Sequence, residues 1–157
     1  MIRTLALGVA GLFVLSACSN KEEPSPQPVD IQASPLAKEA VTELSGEKAF
    51  SHVKALTEFG PRPPESDGYR KSLAYLETEL AKLGWKTKRQ SFKSSTPIGP
   101  VTFTNLLARY SPDGEPDWNI SAPFLLCSHL DTKRFTDFTF VGANDSGSSS
   151  GLLVELA

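Results

Sequence analysis

The sequence predicts an α/β fold in which helices flank a mixed, largely parallel sheet. An apolar run without helical periodicity ends at Leu126 and is typical of a buried central strand. Segments with helical signals precede and follow this run, so helices are available to cover the sheet. Polar side chains begin where the run ends, and binding groups are common at strand ends in such sheets. The run contains Ile120, Ala122, Phe124, Leu125 and Leu126.

Two helices are predicted before the sheet. The first ends before the Gly60-Pro61 pair, because proline cannot continue a helix. The second has Ser66 or Asp67 as its N-cap and stops at Gly84. Its apolar side chains recur at helical spacing, so this stripe is expected to face the core. The stripe consists of Tyr69, Leu73, Leu76, Leu80 and Leu83.

Two neighbouring strands are predicted after the second helix. They comprise residues 85–92 and 101–110, joined by a proline- and glycine-containing turn at 96–100. The first strand carries a basic face, which favours an edge strand protected by charge over a patch for anionic ligands. The basic residues are Lys86, Lys88 and Arg89.

Composition limits the class of protein. The 157 residues are 39% hydrophobic and 22% charged, which suits one globular domain, predicted to span residues 45–157. A net charge of −2 and a pI near 5.7 provide no basic surface for nucleic acid, so no nucleic-acid partner is expected. Two cysteines do not form a disulfide framework.

The N-terminus predicts export and anchoring. Residues 1–18 have a short basic start and an apolar core that is too short to span a membrane, as in a secretory signal. Their Leu-Ser-Ala-Cys ending resembles the bacterial lipoprotein cleavage box, which implies lipidation of Cys18 and a membrane anchor. The alternative is a plain signal peptide. Residues 19–44 are rich in proline and polar side chains and are predicted to be a flexible tether. The expected location is the bacterial cell envelope, at the outer membrane or the periplasmic face.

Potential metal ligands follow the predicted central strand. His129 and Asp131 are two residues apart, so on an extended chain they would project to the same side. Asp145 lies in a glycine-flanked turn at 142–147, before a predicted helix that starts near Ser148. Imidazole and carboxylate groups are zinc ligands. The combination predicts a zinc site at His129 and Asp145, although each motif alone is more often a chance pair or an ordinary turn.

Three other residues are expected to be structural. His52 is expected to be a solvated or edge residue of the first helix rather than a ligand. Arg62 is expected to form a structural salt bridge, with binding of an acidic group as the alternative. Cys127 is expected to be a buried, inert thiol rather than a zinc ligand.

From about residue 45 to the last residue, the sequence resembles the zinc exopeptidase superfamily, which holds bacterial aminopeptidases and animal-type glutaminyl-peptide cyclotransferases. The resemblance depends mainly on SHLDTK at 128–133 and FVGANDSG at 140–147. Weaker motifs occur in the same order before them. These are FGPRP at 59–63, LGW at 83–85, SF at 91–92 with TPIG at 96–99, and FTNL at 103–106.

The resemblance implies one of two zinc reactions. In the cyclotransferases, one zinc binds the side-chain amide of an N-terminal glutamine, and Asp145 matches their aspartate ligand. In the aminopeptidases, two zincs share the aspartate that matches Asp145, His129 matches the first histidine ligand, and Asp131 would orient the cluster. Both reactions act on peptide N-termini. Ser146 directly after the aspartate and the DTK run at 131–133 favour cyclisation, with release of ammonia and formation of pyroglutamate.

The resemblance has two further implications. The peptide bond between Asp145 and Ser146 is expected to be cis. The family's catalytic glutamate and later histidine ligand lie beyond the position that matches Ala157, so the chain is expected to be a fragment that lacks most of the site. The remaining alternative is an inactive envelope lipoprotein fragment.

Overall fold

The computed structural model describes residues 43–120 and 124–157. In chain order they form α1 (Gly46–Glu58), α2 (Asp67–Lys82), β1 (Trp85–Thr96), β2 (Gly99–Tyr110), an irregular helical turn (Ala143–Ser148) and α3 (Ser149–Glu155). The predicted signal, lipidation site at Cys18 and most of the tether lie outside the described residues. None of the helices in the described ranges combines the length and apolar content needed to cross a bilayer.

Both predicted N-terminal helices are confirmed. The side chain of Ser45 caps α1 by accepting a hydrogen bond from the Lys48 amide (3.2 Å). Ser66 caps α2 in the same way through the Tyr69 amide (3.1 Å), and Gly84, at φ +83°, follows its C-terminus.

The core stripe of α2 is shorter than predicted. Tyr69, Leu73 and Leu76 are buried, whereas Leu80 is only half-buried and Leu83 is exposed. Leu83 is the C-cap residue, so it lies beyond the last regular turn of the helix and outside the packed face.

The two predicted strands form an antiparallel hairpin. Pairing runs from Trp85 opposite Tyr110 to Thr96 opposite Gly99, so both strands extend further toward the turn than predicted. The rings of Phe92 and Phe103, which are paired across the strands, stack at 5.6 Å. The hairpin packs against α2.

The predicted largely parallel sheet is absent from the described residues, where the only sheet is this two-stranded antiparallel one. The described end of the predicted central strand is not a regular strand: Phe124, Leu125 and Leu126 lie in non-regular structure and are 88%, 83% and 70% exposed. A strand needs a hydrogen-bonded neighbour, and in the described structure residues 124–126 take part in no strand pairing. The described residues therefore contain helices and a sheet, as predicted. The strands of that sheet are antiparallel, whereas a largely parallel sheet was predicted.

The C-terminal helix, α3, is confirmed and packs closely on α1. A Cβ added at Gly151 would lie 2.7 Å from the carbonyl oxygen of Ala49 and 2.9 Å from Cγ2 of Val53. The two helices can approach this closely only because residue 151 has no side chain. This contact places the start of α3, and the turn that precedes it, against the N-terminal half of the domain.

Candidate metal site

The structure brings the two predicted metal ligands into direct contact. His129 Nε2 lies 2.7 Å from Asp145 Oδ1, although 16 positions separate the two residues. Asp131 lies on the other side of the ring, with its carbonyl oxygen 3.1 Å and its Oδ1 3.5 Å from His129 Nδ1. All three side chains are substantially exposed, so the cluster is open to solvent.

Serine side chains that the sequence did not single out fix the backbone of His129. Its carbonyl oxygen accepts hydrogen bonds from Ser128 Oγ (3.0 Å) and Ser150 Oγ (3.1 Å). Ser150 is buried in the first turn of α3. The helix that follows Asp145 thus also holds the loop that carries His129. The serine run at 148–150 is the sequence feature that could have indicated this contact. The contact itself joins Ser150 to a residue 21 positions earlier.

The turn that carries Asp145 depends on Gly142. Gly142 is left-handed (φ +54°), and its carbonyl oxygen accepts the Gly147 amide (3.0 Å), which closes the turn. A Cβ at this position would lie 2.3 Å from the Asp145 carbonyl oxygen and 2.7 Å from Thr132 Cγ2. Asp145 itself departs from helical angles (φ −109°, ψ 99°), which interrupts the helical turn at the candidate ligand. The peptide bond that follows Asp145 is cis, as the resemblance implied.

Arg62 is buried below these two loops, and the salt bridge predicted for it is wrong. Its guanidinium donates instead to four backbone carbonyls: Leu130 (3.0 Å), Val141 (2.6 Å), Gly142 (3.0 Å) and Leu56 (3.2 Å). Burial lowers the pKa of Arg62, and the nearby carboxylate of Asp131 opposes that shift. Sequence reasoning missed this role, because the four acceptors are backbone atoms in three separate segments.

The backbone of Arg62 is tied to the same loop. Its amide donates to Thr132 Oγ1 (2.9 Å), and its carbonyl accepts the Thr132 amide (3.1 Å). Thr132 is buried, so these bonds are shielded from water. Arg62 therefore holds the segment that follows His129 through both its main chain and its side chain.

Imidazole and carboxylate groups are ligands that zinc accepts. The cluster provides fewer of them than a complete zinc site needs. A catalytic zinc normally has three protein ligands, and His129 with Asp145 would supply two. Asp131, beside the second ring nitrogen of His129, suits the outer-shell role of fixing the imidazole. Within residues 43–120 and 124–157, no three potential ligands are grouped closely enough to hold a metal alone.

The remaining candidates lie outside the cluster. Cys127 is exposed, which contradicts the predicted buried thiol; it precedes the segment that Arg62 anchors. His52 is half-buried in α1 and its Nδ1 lies 2.6 Å from the hydroxyl of Tyr75. That pair joins α1 to α2.

Similar sequences and similar structures both include glutaminyl cyclases. No protein-family model matches the chain. A glutaminyl-peptide cyclotransferase of Dictyostelium discoideum is 30% identical over 130 residues, which are 74% of this chain and 36% of that protein. The crystal structure of a Fimbriiglobus ruber glutaminyl cyclase matches with a TM-score of 0.61 and 30% identity, over 84% of this chain and 43% of that one.

A Zn-dependent exopeptidase from Parabacteroides distasonis shares the fold at 21% identity, with a TM-score of 0.52 over 72% of this chain and 40% of that one. The chain thus spans less than half the length of each of these three proteins.

Proposed function

Because the chain belongs to the zinc exopeptidase superfamily, in the group that includes the glutaminyl-peptide cyclotransferases, we propose that it is part of a zinc-dependent glutaminyl-peptide cyclotransferase. The substrate is a peptide with an N-terminal glutamine. The α-amine nitrogen bonds to the side-chain amide carbon, the bond from that carbon to the amide nitrogen breaks, and one proton passes from the amine to the departing ammonia. The product is an N-terminal pyroglutamyl peptide.

The observation that carries this proposal is the 2.7 Å contact between His129 Nε2 and Asp145 Oδ1. Asp145 would hold the zinc, and His129 would be a second ligand residue only in a two-zinc site. When bound, zinc supplies Lewis-acid polarisation of a substrate carbonyl oxygen. Asp131, next to His129 Nδ1, keeps the ring oriented toward Asp145.

The contact is compatible with either metal count. With two zincs, His129 is itself a ligand. With one zinc, Asp145 would be the ligand, and His129 would keep its hydrogen bond to Oδ1 of that carboxylate. Because the cyclotransferase similarity favours the one-zinc reaction, Asp145 is the ligand on which the proposal depends.

The predicted largely parallel sheet belongs to the same proposal. Phe124, Leu125 and Leu126 expose apolar side chains just before His129, and burial of these side chains by neighbouring strands would be favourable. The lack of helical periodicity in the apolar run at 120–126 supports a strand there.

An envelope location is proposed on sequence grounds. The Leu-Ser-Ala-Cys ending at residues 15–18 supports lipidation of Cys18, which would leave the domain on a tether at the bacterial membrane. Metabolic labelling with a palmitate analogue is expected to tag the protein, and Cys18→Ser is expected to abolish the label. Equal labelling of the variant would refute the anchor.

The reaction is tested with the protein expressed from its complete open reading frame. Ammonia release from a glutaminyl peptide and chromogenic aminoacyl cleavage are measured in parallel, with Asp145→Asn as the matched variant. The proposal expects ammonia release that is lost in Asp145→Asn and in chelator-treated protein, and restored by zinc. Aminoacyl cleavage without cyclisation would assign the protein to the di-zinc aminopeptidases instead.

A further inference from the structure

We propose that Arg62 is the positioning residue of the candidate metal site: one buried guanidinium holds the His129 loop and the Asp145 turn at the separation that brings the two side chains together. The expected effect of Arg62 on zinc affinity rests on the proposed function. Its effect on the positions of the two loops concerns the metal-free protein and does not depend on that proposal. Arg62 contacts neither ligand side chain among its hydrogen bonds in the described structure. Its effect is therefore exerted through the backbone.

The carbonyls that Arg62 binds lie next to the ligands. Leu130 stands between His129 and Asp131, and its carbonyl accepts Nε of Arg62 (3.0 Å). Val141 and Gly142 open the turn that leads to Asp145, and they accept Nη1 (2.6 Å) and Nη2 (3.0 Å). One planar group thus fixes the chain within one residue of His129 and within three of Asp145.

A third contact connects both loops to the helical layer. Nη1 of Arg62 also donates to the carbonyl of Leu56, a fully buried residue near the end of α1. The helix, the His129 loop and the Asp145 turn therefore meet at a single side chain. Only arginine offers enough N–H groups in a rigid fork to reach carbonyls in three segments, because lysine presents its donors at one point.

Regular structure does not provide a substitute for this anchor. Between residues 124 and 142 the described chain contains no helix or strand, so no ladder of backbone hydrogen bonds fixes either loop. The space beside the guanidinium is also closed: a Cβ at Gly142 would lie 3.3 Å from Nη2 of Arg62. A smaller side chain at position 62 would leave four carbonyls without this donor, those of Leu56 and Gly142 in buried positions, and the loops would move to regain hydrogen bonds.

The geometric part is tested in the metal-free protein expressed from its complete open reading frame. The imidazole signals of His129 are followed by nuclear magnetic resonance and assigned with His129→Gln, and those of His52 serve as an internal reference. Arg62→Met is expected to shift the His129 signals in the direction that Asp145→Asn shifts them, because both changes remove the same contact. The His52 signals are expected to stay in place.

Two control variants separate positioning from general effects. Arg70→Met removes an exposed arginine that pairs with Asp67 on the surface of α2. Leu76→Ala removes a buried apolar side chain from α2 and therefore destabilises the core. Both are expected to leave the His129 signals unchanged. If Arg62→Met does not fold, Arg62→Lys carries the test, and a smaller shift in the same direction is expected.

Zinc titration of the same variants provides the second readout. Outer-shell substitutions weaken metal binding by about 10- to 100-fold, and a loss in this range is expected for Arg62→Met against an unchanged affinity for Leu76→Ala. If the wild-type His129 signals do not respond to zinc, the proposed metal role fails, and the metal-free spectra still decide the role of Arg62. A folded Arg62 variant with wild-type His129 signals overturns the inference.

Discussion

Two neighbouring segments, Phe124–Leu126 and Leu130–Thr132, differ sharply in how they are held. The first is strongly apolar, yet its side chains are mostly exposed. The second is tied by its backbone to Arg62, and its Thr132 side chain is buried. Apolar composition creates a tendency to be buried, but a segment becomes fixed only when a partner meets it. At the candidate metal site that partner is the buried guanidinium of Arg62.

The largest loss of stability is expected from a side chain added at Gly142, in the turn at 142–147 that Arg62 holds. Gly142→Ala would place a methyl group against the Asp145 carbonyl and force a non-glycine residue into a left-handed conformation. A loss of about 3 kcal/mol in the free energy of unfolding is expected. Gly114→Ala is the matched control, since no heavy atom lies within 4 Å of its added Cβ. Equal denaturation midpoints for the two variants would contradict the anchored turn.

Leu125→Ala tests the unanchored segment. In the 157-residue chain Leu125 is largely exposed, so the free energy of unfolding is expected to change by less than about 0.5 kcal/mol. In the protein expressed from its complete open reading frame, the proposed parallel sheet would bury this side chain and raise the cost to about 2 kcal/mol or more. A negligible cost in both forms would argue against the sheet.

The hydroxyl of Tyr69 joins α2 to β2 by donating to the Thr104 carbonyl (2.5 Å). Burial is the main cause of its raised pKa, with the charge of Asp131 adding to the effect. A raised pKa means that the folded state retains this proton longer, so the contribution is complete below the ordinary value of 10.0 and declines as the pH rises above it.

Tyr69→Phe is therefore expected to cost about 1 kcal/mol at neutral pH and to flatten the alkaline loss of stability. Chemical denaturation between neutral pH and pH values above the tyrosine range measures both. Tyr110→Phe, at an exposed position, is the control and is expected to leave the alkaline slope unchanged. If Tyr69→Phe loses stability at alkaline pH as steeply as the wild type, the Tyr69 hydroxyl is not the cause of that loss.

The smallest effect is expected at an exposed arginine, which contrasts with buried Arg62. Arg89 pairs with Glu77 through two short contacts (2.6 and 2.7 Å) between β1 and α2. Because water screens this pair, Glu77→Gln is expected to cost no more than about 1 kcal/mol, and less at high salt. A salt-independent loss of several kcal/mol would mean that surface ion pairs, not the buried arginine, stabilise this domain.

The helices and the hairpin were predictable because their signals are local. Caps at Ser66 and Gly84 and the periodic apolar residues of α2 lie within one stretch of chain. The contact between His129 and Asp145 followed from the resemblance and from their strand-end and turn positions. Arg62 was not predictable, since its acceptors are carbonyls up to 80 positions away and carbonyls carry no sequence signal. The burial of the apolar run at 120–126 stays a prediction, because burial in a sheet depends on partner strands that local signals do not specify.

The proposed zinc site at Asp145 is tested most directly by anomalous diffraction at the zinc absorption edge, from crystals of the protein expressed from its complete open reading frame. The predicted result is a zinc peak bonded to the carboxylate of Asp145, with His129 either bonded to a second zinc or hydrogen-bonded to that carboxylate. A structure with zinc bound elsewhere, or with Asp145 bonded to no metal in zinc-saturated crystals, would contradict it.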